Sequence, residues 1–140
     1  MTTVTVREAI RGRAADVWAV LSDFGGLEVG GPINSFETDG DGIGMTRTIG
    51  MAGGRIVERL DRHDPSAMTF AYCIVNDDDC PLPVADYAAV VQVTDNGDDT
   101  CQVEWTGTFE PRGASEAEAS QVVEGIYRGG IAGARQAVGG

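Results

Sequence analysis

Positive charge is scarce in this chain: Lys and Arg together number 10 against 22 Asp and Glu, and the formal net charge is −12. Nucleic acid and anionic membrane surfaces both need a basic face, so neither is expected as a partner. Histidine occurs once, as His63. Cysteine occurs as Cys73, Cys80 and Cys101, an odd count without paired spacing, and reads as reduced thiols. No apolar run approaches the length that spans a bilayer. Met1-Thr2-Thr3 runs straight into a strand pattern with no secretory leader. Together these absences predict a cytoplasmic protein. The chain also lacks a phosphate loop, a completed dinucleotide fingerprint, a Gly-x-Ser-x-Gly elbow and a complete calcium loop, so neither a cofactor nor a metal is expected.

What is present fits one domain over residues 1–140, long enough for a real core. Thr3 to Ile10 alternates as a strand, with Glu8 on its apolar side. Ala14 to Phe24 has helical spacing through Val17, Trp18, Leu21 and Phe24. Gly25-Gly26 and Gly30-Gly31-Pro32 mark turns. Short strands are expected over Asn34–Thr38, Ile43–Met51, Arg55–Asp61, Met68–Val75 and Tyr87–Thr94, and Asn96-Gly97 signals a hairpin. From Cys101 to Phe109 the apolar set Cys101, Val103, Trp105, Gly107 and Phe109 alternates with a wholly polar face. Ser115 to about Val138 reads as one long helix, with Glu118 placed for a capping box. Gly125, Gly129 and Gly133 recur along it as a smooth ridge, each costing roughly 1 kcal/mol relative to Ala. The order of elements predicts an α+β protein in which a curved antiparallel sheet surrounds a long C-terminal helix.

Two charges interrupt otherwise apolar strand faces. Ile43, Met45, Ile49 and Met51 share a face with Arg47, and Ile56 and Leu60 share one with Glu58. The Gly-rich connection Met51-Ala52-Gly53-Gly54 suits a tight hairpin. A turn centred on Ala52-Gly53 pairs Gly50 with Arg55 and sets Arg47 opposite Glu58, where side chains project to the same side and meet. The expectation is an Arg–Glu pair on the inner surface of the sheet.

Three segments carry a family resemblance across essentially the whole chain. Ala15-Asp16-Val17-Trp18-Ala19-Val20-Leu21-Ser22-Asp23-Phe24 resembles the first-helix motif of the START-like, or SRPBCC, superfamily, which includes polyketide cyclase/dehydrases and Bet v 1. Gly44-Met45-Thr46-Arg47-Thr48-Ile49 with Glu58-Arg59-Leu60-Asp61 resembles its paired-strand motif. Pro81-Leu82-Pro83 with Asp86-Tyr87 resembles the loop and strand that follow. The resemblance implies a helix-grip fold with an internal ligand cavity between sheet and helix. It implies a wall drawn from Tyr72, Ile74, Tyr87, Ala89, Val91, Val103, Trp105 and Phe109, with Ile126 and Gly130 contributed by the helix. In the abscisic-acid receptors of the superfamily, residues matching Glu58 and Tyr87 touch ligand. The receptor latch is absent here, where Asp78-Asp79-Cys80-Pro81-Leu82 stands instead, so hormone sensing does not carry over. The loops Met51–Gly54 and Asn76–Pro83 are expected at the cavity mouth.

The expected function is that of a polyketide cyclase/dehydrase-like enzyme working without a cofactor on a small hydrophobic molecule. Arg47 would hold a developing oxyanion, Glu58 would move a proton, and Tyr87 would orient the substrate. Each has a plainer alternative: Arg47–Glu58 as a structural ion pair, and Tyr87 as a core tyrosine with a satisfied hydroxyl. Trp105 is expected chiefly as core packing that also offers a flat wall. His63 is expected in an exposed turn, Asp77-Asp78-Asp79 in a solvated loop, and Cys80 lacks a histidine nearby in sequence. A non-catalytic carrier, or a domain whose cavity is filled by its own side chains, are the other readings. Small residues such as Ala89 and the glycine ridge lean against the last. Oligomeric state, a homodimer included, stays open.

Overall fold

A computed structural model describes residues 1–26, 29–30, 33–76 and 78–139. Gly31-Pro32 of the expected turn and Asp77 of the acidic loop lie outside the described residues. The elements run β1 (Thr2–Arg11), α1 (Ala14–Leu21), β2 (Ile33–Asp39), β3 (Thr46–Met51), β4 (Gly54–Asp64), β5 (Thr69–Ile74), β6 (Val84–Asp95), β7 (Thr100–Pro111) and α2 (Glu116–Ala137). The strands form one seven-stranded antiparallel sheet in the order β1-β7-β6-β5-β4-β3-β2. This is the helix-grip arrangement: a curved antiparallel sheet with a long C-terminal helix against its inner face.

Alternation decides which side chains enter the core. Along β7, Cys101, Val103, Trp105 and Phe109 are buried while Gln102 and Glu110 are exposed. Opposed residues share a face, so Val6 joins Trp105, Ile10 joins Cys101, and Val91 joins Trp105 across the ladder. On α2 the buried stripe is Ala119, Val123, Tyr127, Ile131 and Ala134, spaced for one helical face. Ser115 caps this helix: its side chain accepts from the Glu118 amide at 3.1 Å, and Glu118 Oε1 accepts the Ser115 amide at 3.2 Å. Glu8, the charge on the apolar side of β1, is held by two helix arginines, Arg128 Nη1 at 3.2 Å and Arg135 Nη2 at 3.0 Å. Those bonds tie α2 to the sheet edge.

Bulges in β6 and β4 adjust the pattern. Between Ala85 and Ala88 the β6–β7 register shifts, and Asp86 takes a φ of 53°. The extra residue lets both Val84 and Tyr87 face inward, a spacing of three that simple alternation forbids. A second shift lies between Leu60 and Arg62. As a result β4 continues through His63, which is exposed but on a strand and not in a turn, with its ring 5.4 Å from that of Trp18.

Other boundaries differ from expectation. Helix α1 stops at Leu21, and Phe24 is buried separately at 3 % exposure beyond it. The strand expected from Ile43 begins at Thr46, since Gly42 and Gly44 adopt φ of 65° and 91° and Ile43 is left 60 % exposed. The glycine ridge also needs correction. A Cβ at Gly125, Gly129 or Gly133 would meet nothing within 4 Å, so these positions face away from the core.

Candidate functional site

The short β3–β4 turn pairs Met51 with Gly54 and Gly50 with Arg55, which sets Arg47 opposite Glu58. Both side chains point to the inner face, where they are only 13 % and 9 % exposed. Arg47 Nε donates to Glu58 Oε1 at 2.7 Å. Arg47 Nη1 donates to the Phe24 carbonyl at 3.2 Å, and the Phe24 ring covers the guanidinium with its centroid 4.0 Å from Cζ. The Tyr72 ring lies on another side, 5.6 Å away. An ion buried this far is tolerated because its partner and the extra hydrogen bond replace water.

Beside the pair stands an aromatic cluster. Tyr72 (β5), Tyr87 (β6) and Trp105 (β7) come from neighbouring strands, and Tyr127 reaches in from α2. The Trp105 indole N–H donates to Tyr72 Oη at 3.1 Å. Tyr72 and Tyr87 hydroxyls approach to 3.5 Å, and the Tyr87 and Tyr127 hydroxyls are in close hydrogen-bond contact. Trp105 and Tyr127 stack with centroids 4.9 Å apart and planes 15° apart. Tyr87 and Phe109 stack at 6.3 Å. Burial pushes the phenols of Tyr72 and Tyr87 well above the usual tyrosine range. The negative charge of Glu58 adds to the effect at Tyr72, and at Tyr87 the neighbouring phenols add to it because ionising one makes ionising the next harder. Burial likewise raises Tyr127. These groups are therefore hydrogen-bond donors at neutral pH.

Of the other expected wall residues, Ile74, Ala89, Val91, Val103 and Phe109 are all buried. Two helix positions are corrected. Ile126 is 41 % exposed, a helical step off the buried stripe, and is no interior wall. Gly130 does not open space: a Cβ there would lie 2.7 Å from the Trp105 ring, so the glycine is what lets that ring lie on the helix. Phe24 and Tyr127 join the site without having been singled out for it. Tyr127 carried a detectable signal, because Gly107 leaves a gap on the inner face of β7 that some side chain must fill.

The two loops expected at a cavity mouth do touch each other. A Cβ at Gly54 would lie 2.7 Å from the Asp79 carbonyl oxygen, and Asn76 bridges β4 by accepting the Val57 amide at 2.9 Å and donating to the Arg55 carbonyl at 2.8 Å. A groove of about 620 Å³ opens beside them, lined by Ser35, Gly50, Arg55, Asp79 and Cys80 among others. Ser35, Gly50 and Arg55 pair with one another on the outer face, so this groove lies opposite the Arg47–Glu58 pair. Burial pushes the Cys73 thiol up to about 11, with Asp61 reinforcing the shift, which leaves it unreactive as a nucleophile.

The family model for polyketide cyclase/dehydrase and lipid transport proteins matches residues 1–139. The chain belongs to this family. An uncharacterized protein of Bacillus thuringiensis is 30 % identical, with 98 % of each chain covered and a TM-score of 0.83. The protein XoxI of Bacillus cereus is also 30 % identical, over 99 % of this chain and 96 % of that one, with a TM-score of 0.83. Norcoclaurine synthase of Thalictrum flavum, solved in complex with dopamine and hydroxybenzaldehyde, shares the fold at 18 % identity, covering 96 % of this chain and 83 % of its own, with a TM-score of 0.71. Comparison with curated proteins finds no match.

Proposed function

We propose that this family member is a cofactor-independent cyclase or dehydrase for a small hydrophobic substrate of polyketide type. The observation that carries the reading is the Arg47–Glu58 pair, two opposite charges joined at 2.7 Å on the inner face of the sheet and bordered by phenols. A poly-β-keto chain has acidic carbons between carbonyls, and closing a ring on it requires one such carbon to lose a proton. The Glu58 carboxylate takes that proton. The resulting enolate oxygen is held by the Arg47 guanidinium and a tyrosine hydroxyl, with Tyr87 placed among the donors. The enolate carbon then attacks a second carbonyl carbon, the π pair of that carbonyl moves to its oxygen, and the alkoxide takes the proton back from Glu58. Dehydration repeats the abstraction at the same carbon. The β-hydroxyl departs with the proton from Glu58 as water, and a double bond remains.

The ligand site in this reading lies between sheet and α2, over the guanidinium. Phe24 occupies that place, followed directly by Gly25-Gly26, and a flat ligand takes over its cation–π contact as the ring swings aside. The chain has no lysine, so a Schiff base through a lysine amine is not part of the mechanism.

Mass spectrometry of the ligand that co-purifies with the protein tests the substrate class. A polyketide-type product supports the enzyme, whereas a fatty acid supports a carrier. Glu58→Gln keeps the shape and removes the titratable group. Turnover of the identified ligand should fall while binding persists, and unchanged turnover would rule out general acid/base chemistry at Glu58.

A further inference from the structure

One residue of the chain binds Arg47 in two ways at once. Phe24 lies past the end of α1, in a turn that the Gly26 amide closes by donating to the Asp23 carbonyl at 3.0 Å. Beyond the helix its carbonyl has no helical partner, and among the described residues it accepts from Arg47 Nη1 at 3.2 Å. The Phe24 ring lies over the same guanidinium, 4.0 Å from Cζ, and 6.1 Å from the Tyr72 ring. Asp23, Gly25 and Gly26 are exposed, so Phe24 is the one residue of this turn set into the interior. Arg47 Nε stays on Glu58, and the ion pair does not depend on Phe24.

A phenylalanine residue presents its ring and its carbonyl at a fixed spacing, with the two saturated carbons Cβ and Cα between ring and carbonyl carbon. Arg47 reads both ends of that unit: the ring face by cation–π attraction and the oxygen by a charge-assisted hydrogen bond. A guanidinium this far from water needs both an acceptor and cover, and Phe24 supplies them. The volume available to a ligand here is the volume that the Phe24 side chain itself fills.

We propose that Phe24 is a resident surrogate for the ligand and sets its specificity: the molecule that replaces it at Arg47 carries an aromatic ring two saturated carbons from a carbonyl, a 3-arylpropanoyl unit. The proposal rests on the functional reading above, which places the ligand over this guanidinium, and it names the part of the ligand that Arg47 recognises. The exchange makes and breaks no covalent bond. The turn opens at the Gly26–Asp23 hydrogen bond, and the Phe24 ring and carbonyl leave together. The ligand's ring and oxygen take over their contacts while Nε keeps Glu58. A carbonyl bonded directly to an aromatic ring is a poorer fit, because conjugation holds its oxygen in the ring plane and away from an ion lying over the ring face.

The probe is 4-phenylbutan-2-one, which contains this unit. Its isomer 1-phenylbutan-1-one has the same atoms with the carbonyl on the ring. Each is titrated into wild-type protein labelled with carbon-13 at the Phe carbonyl and nitrogen-15 in Gly. Phe24-Gly25 is the one Phe-Gly step in the chain, so a single carbonyl–amide cross-peak reports the Phe24 carbonyl. The expected result is that 4-phenylbutan-2-one moves this cross-peak and that the isomer binds about tenfold or more weakly, as for loss of a hydrogen bond to a charged group. Phe24→Ala should bind 4-phenylbutan-2-one about tenfold or more tightly than the wild type, because no buried ring has to leave. No binding by the wild type, an unmoved cross-peak with the ketone bound, equal affinity for the two isomers, or Phe24→Ala binding no tighter would overturn the proposal. The cross-peak and the isomer preference decide the matter even if the variant fails to fold. Neither ketone measures turnover, and the cyclase reading is judged by turnover in Glu58→Gln, so the two can fail independently.

Discussion

The hydroxyl of Tyr127 lies where the side chain of residue 107 would begin. A Cβ built on Gly107 would overlap that oxygen and stand 3.0 Å from the Tyr127 Cζ. A residue in α2 and a residue in β7 therefore share one volume, and the glycine is the condition for the tyrosine. Gly107→Ala should destabilise the protein by about 1–3 kcal/mol, as overpacking does. The cost should shrink in a Tyr127→Phe background, where the hydroxyl is gone. Urea unfolding of the four proteins of that cycle measures the coupling.

Gly129 and Gly130 are neighbours in sequence with opposite expectations. Gly129→Ala places a methyl in open space on a helix interior and should stabilise by up to about 1 kcal/mol. Gly130→Ala drives a methyl into the Trp105 ring and should destabilise despite the same gain in helix propensity. Thermal midpoints that shift in the same direction for both would contradict the packing described.

Arg47 and Glu58 should be worth more together than either alone. Arg47→Met strands a carboxylate that is 9 % exposed and should cost about 3–5 kcal/mol. Arg47→Met with Glu58→Leu removes both charges and should recover most of that loss. Chemical denaturation of both variants checks the pair. A single variant as stable as wild type would mean that the charges are better solvated than their burial implies.

The tyrosine cluster sets an alkaline limit. Burial raises all three phenols in the folded protein above the ordinary value of 10.0. Once the pH passes that ordinary value, unfolded tyrosines release protons that the folded ones keep, so the folded state binds more protons and stability falls as pH rises. Below it the contribution is fully present. The urea midpoint should decline gently from about pH 9, where the raised thiols of Cys73 and Cys101 begin to count, and drop steeply beyond about pH 10 as the phenols join them, and Tyr→Phe variants should soften the steep part.

The Arg47–Glu58 register was legible because strand side chains repeat every second residue and a four-residue Gly-rich connection leaves few alternatives for the turn. The polar face of β7 and the capping box of Ser115 and Glu118 were legible for the same reason, since each is a local rule. Tyr87 was harder. Its inward direction depends on the bulge at Asp86, whose positive φ no periodicity announces. Tyr127 read only as one member of an apolar stripe, because its partners Tyr87, Trp105 and Gly107 come from two strands distant in sequence. The glycines of α2 were misread because small size alone does not distinguish close packing from exposure. Their phase does, since Gly125, Gly129 and Gly133 fall off the face defined by Val123, Tyr127 and Ile131. Phe24 escaped notice as a site residue because helical spacing continued past Leu21, where the helix ends.

Proton exchange at a carbon between two carbonyls isolates the step on which the functional account depends. A simple 1,3-diketone such as 1-phenylbutane-1,3-dione in deuterated buffer, followed by proton NMR, reports it without knowledge of the natural substrate. The account expects the wild type to accelerate loss of the methylene signal and Glu58→Gln to lose that acceleration by on the order of a hundredfold or more. Exchange that is no faster with the wild type than in buffer, or equally fast with Glu58→Gln, would contradict it.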